Sequence, residues 1–514
     1  MEDSRYDALF EPLRLGPVTA PNRIAFTAHT TNLARHGLPD ERVARYYGRR
    51  AEGGAGLIVL EESSVHPSDH PYERVIRGYE SAVVQGYRRV AEAVHPYGAV
   101  VLAQLNHTGM QGTGHIRKQA IWAPSPVPNP ATMEMPKVME PEDIAAVVAG
   151  FGQVAQRALE AGLDGVEINA GQYSLVRQFL SGLTNSRQDA YGGSPEARLR
   201  FATDVIHQVR TAVGRQGVVG LRLAVDEFAP WAGITPDQGV EIARALTASG
   251  ELDYLSVVVG SIYTVYKTRA AMHTPPGYAL DVVRAVREAV TVPVYATGSI
   301  VDPALAAEAL DSSTADGVEM TRALIADPDL PRKVREGRTD EVRPCIRCNQ
   351  DCTVRSLQNV VVSCIHNPEA GYEAEFPPLE RTTRPKRVLV VGGGPAGMEA
   401  ARVAALRGHQ VTLVEREPEL GGTPLLVATA PEREPMRLVS DWRIDQLRGL
   451  DVAVQTGTDV TPDFVRAFPA DVVVLATGGR PRPGGGGPGG GPPHGGPGCD
   501  TPRGQGPGSG PRGI

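Results

Sequence analysis

Over the first 337 residues, short β-branched apolar runs alternate with longer stretches of helical periodicity. The runs predict strands at Arg23–Phe26, Leu57–Leu60, Val100–Gln104, Gly165–Asn169, Val218–Leu223, Tyr254–Val259, Val294–Ala296 and Gly317–Met320. Pro141–Ala161 is an amphipathic stretch between two of them. Ile144, Val147, Val148, Phe151, Val154, Ala155 and Ala158 fall on one face of it, and Glu140, Glu142 and Asp143 bring negative charge to the positive end of the helix dipole. Eight strands alternating with helices predict an α/β fold, a TIM (β/α)8 barrel over residues 1–337. A doubly wound open sheet would place a phosphate-binding glycine loop after its first strand, whereas Arg23–Phe26 is followed by Thr27, Ala28 and His29.

Periodicity is lost after Gly337 and returns at Lys386. Residues 338–384 form a cysteine-bearing segment. Residues 385–483 read as a partial Rossmann-like dinucleotide-binding domain, with a strand at Val388–Val391, a glycine turn at Gly392–Gly397, a helix at Met398–Arg407 and a second strand at Val411–Val414. Residues 484–514 are nearly half glycine and rich in proline, a composition expected to stay disordered.

Composition changes this picture little. At 514 residues, 41% hydrophobic and 22% charged, the chain has the make-up of a multidomain globular protein. A net charge of −7 with scattered Lys and Arg gives no footprint for nucleic acid or an anionic membrane. No run approaches the roughly 18 apolar residues of a membrane span, and the N-terminus lacks a secretory apolar core. A cytoplasmic enzyme acting on a small molecule is the expectation.

The cysteines narrow the chemistry. Four of the five lie between Cys345 and Cys364, which is not how a disulfide scaffold distributes them. The spacing Cys345-x2-Cys348-x3-Cys352-x11-Cys364 suits thiolates wrapping an iron–sulfur cubane, with a four-thiolate zinc site as the alternative.

A barrel assembles its site from strand C-terminal ends. Gln104 and His107 follow the third strand, Asn169 and Gln172 the fourth, and Arg222 ends the fifth. Gly298 follows the seventh strand and Arg322 the eighth, where such barrels commonly hold a phosphate. In the second domain Gly392-x-Gly394-x-x-Gly397 follows a strand and opens a helix, and Glu415 lies 18 residues beyond Gly397. That arrangement brings pyrophosphate to a helix N-terminus and an acid to a ribose hydroxyl.

The stretch Asn169–Phe201, the PNRI of Pro21–Ile24 and the CIRCNQDC motif together resemble the Old Yellow Enzyme-like FMN oxidoreductases. The resemblance is to their long members, such as bacterial 2,4-dienoyl-CoA reductase and trimethylamine dehydrogenase. It implies FMN lined by Thr27, Ala28 and His29, mainly through backbone groups, with Glu62 nearby. Gln104 would meet the pyrimidine edge, Arg222 would place a positive charge near N1 and C2=O, and Gly298, Ser299 and Arg322 would hold the phosphate. A 4Fe-4S cluster would be bound by Cys345, Cys348, Cys352 and Cys364, in a homo-oligomer.

The substrate-polarising pair falls on Asn169 and Gln172, neither of which is an acid. The family's proton-donating tyrosine position falls on Ser174, with Tyr173 one residue early. The resemblance implies hydride transfer at flavin N5 to an activated C=C substrate, with electrons passing through the cluster. Oxidative N-demethylation of a methylated amine and a truncated, impaired flavoprotein are the alternatives. Gly/Pro sequence stands where relatives continue into an NAD(P)H-binding half. FAD binding is therefore left open, and poor NAD(P)H oxidation is expected, with electrons exchanged through substrate or an external partner.

Overall fold

A computed structural model describes residues 4–116, 118–355, 358–376 and 379–479. The expected disorder of 484–514, the last residues of the 385–483 domain and Cys499 lie outside these. The chain divides into two compact units. One is the chain up to Pro378 with Val427–Trp442, and the other is Leu379–Leu426 with the chain from Arg443 onward.

The first unit is a closed parallel barrel of β1 (Ile24–Phe26), β2 (Leu57–Ser64), β3 (Val100–Asn106), β4 (Gly165–Ala170), β5 (Val218–Asp226), β6 (Tyr254–Val259), β7 (Val294–Ala296) and β8 (Gly317–Glu319). Each strand pairs with its sequence neighbours, and β1 pairs with both β2 and β8, which closes the ring. All eight strands expected from the apolar runs are present. Four run further than predicted: β2 to Ser64, β3 to Asn106, β4 to Ala170, and β5 to Asp226 with a bulge between Ala224 and Asp226. Arg222 therefore lies inside β5 and not at its end, because pairing with β6 continues through Val259.

The helix predicted at Pro141 spans Pro141–Glu160. Glu140 and Asp143 close a capping box around its N-terminus, and Ile144, Val147, Phe151, Val154, Ala155 and Ala158 are buried against the barrel wall. A separate cluster fills the barrel floor, where Leu57, Val59, Val100, Leu102, Val218, Tyr254 and Tyr295 meet Leu13, Leu15 and Ala20 of an N-terminal hairpin. Gly220 and Gly317 make room for the two tyrosines, since a Cβ at either would stand 2.2 or 2.4 Å from the facing ring. With the floor packed by apolar side chains, polar chemistry is confined to the upper end.

The second unit is a parallel sheet of β9 (Arg387–Val391), β10 (Gln410–Val414), β11 (Val452–Gln455) and β12 (Val472–Leu475), in the order β11-β10-β9-β12. The helix between β9 and β10 spans Pro395–Leu406 and begins earlier than the expected Met398. Gly394 is its N-cap, and Pro395 occupies the first turn, where a missing N–H costs nothing.

Candidate active site

Side chains from six barrel strands and the turn after β1 converge above the apolar floor. Arg222 donates from Nε to Glu167 Oε1 at 3.2 Å and from Nη2 to both Glu319 oxygens at 2.8 and 2.9 Å. Gln104 Nε2 donates to Glu167 Oε1 at 2.7 Å and Tyr254 OH donates to Glu167 Oε2 at 2.9 Å, while Ser256 Oγ and Thr27 Oγ1 donate to Glu319. Arg222 lies between two buried carboxylates that the sequence reading did not include, Glu167 on β4 and Glu319 on β8. Burial works to lower the guanidinium pKa, but the charges of Glu319 and Glu167 outweigh it and raise it. Burial pushes the Glu167 carboxyl up despite Arg222, and the charge of Glu319 adds to that. The expected positive charge of Arg222 is thus held between two carboxylates. Among the described residues Arg222 Nη1 and Gln104 Oε1 have no hydrogen-bond partner, which leaves one donor and one acceptor in the network.

The residues after β1 are more engaged within the protein than expected. Thr27 N–H donates to Thr321 Oγ1 at 3.0 Å, and its carbonyl accepts from His29 Nδ1 at 2.8 Å. Among the described residues the main-chain groups of Ala28 and His29 make no such hydrogen bond. His29 Nε2 accepts from Tyr46 OH, and burial lowers the ring pKa to about 4, so His29 is neutral.

On β2, Glu62 pairs in register with Gln104 of β3. Asn106 Nδ2 donates to Glu62 Oε2 and, at 3.0 Å, to the Tyr173 carbonyl. Burial first, then the charge of Asp69, pushes the Glu62 carboxyl up to about 7. On β4, Asn169 Oδ1 accepts from Gly171 N at 2.8 Å, which leaves its Nδ2 as a donor. Gln172 Nε2 reaches the Val259 carbonyl at 3.3 Å. Ser174 is fully buried. It donates to Gly171 O and accepts from Arg177 N as the N-cap of the helix Leu175–Leu180, a structural task that removes it as a proton donor. The Tyr173 ring lies under the Arg269 guanidinium, 5.0 Å from its centroid. His107 is also removed: its Nδ1 accepts from Gly109 N, its Nε2 meets Ser68, and burial lowers its pKa.

At the corner expected to hold a phosphate Gly298 and Ser299 have φ of +113° and +62°, and Arg322 donates to Ser299 Oγ, Ala270 O and Asn349 Oδ1. Arg322 also lines a small pocket shared by Cys345, Cys348, Cys352 and Cys364. The four cysteines are free thiols. Burial pushes Cys345 up to about 12, against the charge of Arg322, and Cys348 up to about 11. Four thiols around one space, with Arg322 and Asp351 also in its lining, are the donor set that a thiolate-bound group requires. Among the described residues no three His, Cys, Asp or Glu side chains group closely enough to hold one metal ion.

In the second unit the glycines have separate reasons. Gly392 has φ +106°, and a Cβ there would stand 2.3 Å from Ala476 O. At Gly397 a Cβ would be 1.8 Å from Gly392 O, whereas at Gly394 it would meet nothing within 4 Å. Gly397 serves packing, and Gly394 leaves open the approach to the helix N-terminus, where pyrophosphate binds in such turns. Glu415 reaches the same turn, accepting from Gly393 N, and Gly421 N donates to Gly393 O at 2.9 Å.

Comparison with known proteins agrees with this geometry. The profile of the NADH:flavin oxidoreductase / NADH oxidase family matches residues 8–341, and that of the pyridine nucleotide-disulphide oxidoreductases matches 373–487. The chain is 37% identical over 477 residues to a metal reductase of Desulforamulus reducens, covering 92% of this chain and 71% of that one. It is 38% identical over 487 residues to the N,N-dimethylglycine/sarcosine dehydrogenase of Chromohalobacter salexigens, covering 93% and 70%. The structure of 2-naphthoyl-CoA reductase in complex with 2-naphthoyl-CoA aligns with a TM-score of 0.88 at 29% identity, over 93% of this chain and 75% of that one.

Proposed function

Since the chain belongs to the NADH:flavin oxidoreductase / NADH oxidase family and is a flavin-dependent oxidoreductase, we propose that it reduces an activated C=C bond in a small substrate at an FMN held in the barrel mouth. Cys345, Cys348, Cys352 and Cys364 would hold a 4Fe-4S cluster, which would supply single-electron transfer. FMN, when bound, exchanges a hydride at N5. The protein's own part is binding and polarisation. Gln104 Oε1 and Arg222 Nη1 would meet the pyrimidine edge of FMN, while Gly298, Ser299 and Arg322 would hold its phosphate. Glu167 and Glu319 fix the Arg222 guanidinium in place, so its fork is oriented before anything binds. Asn169 Nδ2 supplies the hydrogen bond that a substrate carbonyl oxygen needs as negative charge develops on it.

The observation that carries this reading is the uncommitted Asn169 Nδ2 beside the Arg222 network. Anaerobically purified protein should contain about one FMN and, by the cluster assignment, about four iron per chain. Its reduced flavin should be reoxidised by an enal or enoate. Protein that binds no FMN, or reduced flavin inert to every conjugated carbonyl offered, overturns the proposal. One feature supports oxidation of a methylated amine as a second reading: Glu62 has no cationic partner among the described residues, and a relative acts on dimethylglycine and sarcosine.

A further inference from the structure

Hydride chemistry on an alkene or an amine also moves a proton, and most polar groups at the mouth cannot carry it. Ser174 is a buried helix cap, and His29 and His107 are neutral with both ring nitrogens engaged. Asn169 and Gln172 are amides. Tyr173 lies under Arg269, and its main chain, not its hydroxyl, meets Asn106.

Glu62 is different. Its register with Gln104 puts it on the inward face of the barrel wall, and Asn106 holds one carboxylate oxygen while tying the same spot to the loop that carries Gln172. Asn106 is 1% exposed, yet its Oδ1 has no hydrogen-bond partner. Both partners of Nδ2 are acceptors, so the amide cannot flip to relieve this. A buried acceptor left open beside a carboxyl without a counter-ion is a place for a donor from outside the chain.

We infer that Glu62 is the catalytic proton-transfer residue of this site. The inference rests on the proposed flavin chemistry. In alkene reduction the C=C π bond breaks, the hydride from reduced FMN forms one C–H bond, and the proton from the Glu62 carboxyl forms the other. FMN is left oxidised, and the Glu62 carboxylate recovers a proton from water. In amine oxidation the same carboxylate takes the N–H proton of the ammonium while a methyl C–H hydride goes to oxidised FMN, leaving an iminium that water hydrolyses. The groups facing Glu62 are Asp69 and Glu61, whose charges raise its pKa, Asn106, whose hydrogen bond lowers it, and Tyr72. Burial is the largest influence, and the result of about 7 suits an acid or a base at neutral pH.

The test uses the holoenzyme and its Glu62→Gln and Glu62→Asp variants, with cinnamaldehyde and N,N-dimethylglycine as probes, in stopped-flow flavin half-reactions from pH 5 to 9. Glu62→Gln should keep its FMN and its KM within about threefold, lose roughly 10²–10⁴ in rate, and lose the ionisation near pH 7, while Glu62→Asp recovers part of the rate. A Gln variant with unchanged rate and pH profile overturns the inference, and so does one that no longer binds FMN. A wild-type holoenzyme that turns over neither probe overturns the flavin chemistry itself, a failure distinct from either.

Discussion

The barrel mouth and the glycine turn of the second unit both stand at the C-terminal ends of parallel strands, but they are built by opposite means. The mouth gathers charged and polar side chains from strands far apart in sequence, Glu167, Arg222 and Glu319 among them. The turn works by leaving side chains out, so that backbone approaches backbone at Gly392 and Gly397 and space stays open at Gly394. A site of the first kind is sensitive to charge and desolvation. One of the second kind is sensitive to single carbon atoms and should be indifferent to pH.

The comparison breaks most decisively at Arg222. Arg222→Met removes the cation between two buried carboxylates, and urea unfolding should register a loss of about 3–5 kcal/mol together with loss of bound FMN. Unchanged stability would mean that the carboxylates do not depend on it.

Glu61 tests the pH side. It is fully buried, accepts from Thr31, and burial raises its pKa from 4.5 to about 7. A raised carboxyl pKa favours the folded state most below about 4.5, and that contribution is lost as pH rises through about 7. Glu61→Gln should therefore match wild type near pH 4.5 and exceed it above pH 7, by at most about 3 kcal/mol at 1.36 kcal/mol per unit. Denaturation at several pH values reads the slope, and a flat difference between the two proteins would contradict it.

Gly397→Ala should cost about 1–3 kcal/mol in the second unit at any pH, because the added carbon meets Gly392 O and neither backbone can yield. Hydrogen exchange in β9 and its following helix measures this. Ser174→Ala should lose about 1 kcal/mol through its cap and leave the pH profile of turnover unchanged, whereas a vanished ionisation would return Ser174 to the chemistry. The smallest effect belongs to Gly394→Ala. Stability should stay within about 0.5 kcal/mol, while dinucleotide affinity, followed by fluorescence titration, falls.

Much of this was legible in the chain. Apolar runs gave the eight strands, helical spacing gave the buried face of Pro141–Glu160, and the glycine spacing with Glu415 marked a turn that those residues do form together. The carboxylates around Arg222 were missed, although a signal existed. Gly165-Val166-Glu167 and Gly317-Val318-Glu319 repeat the same triplet, each with a lone acid inside a strand buried on both faces. Such an acid requires a partner. Nothing local says which one.

The sequence by itself determined the periodicities, the turns and the four-cysteine spacing, because each is a property of neighbours along the chain. Tertiary structure decided what the site's charges are. Barrel closure sets Arg222 against residues 55 and 97 positions away, and removal of water raises Glu62 toward neutrality while leaving His29 uncharged. Ser174 likewise became a cap and not an acid once its helix formed over the barrel end. Desolvation and long-range pairing depend on what surrounds a group in space, and that is fixed only when the ring of strands closes.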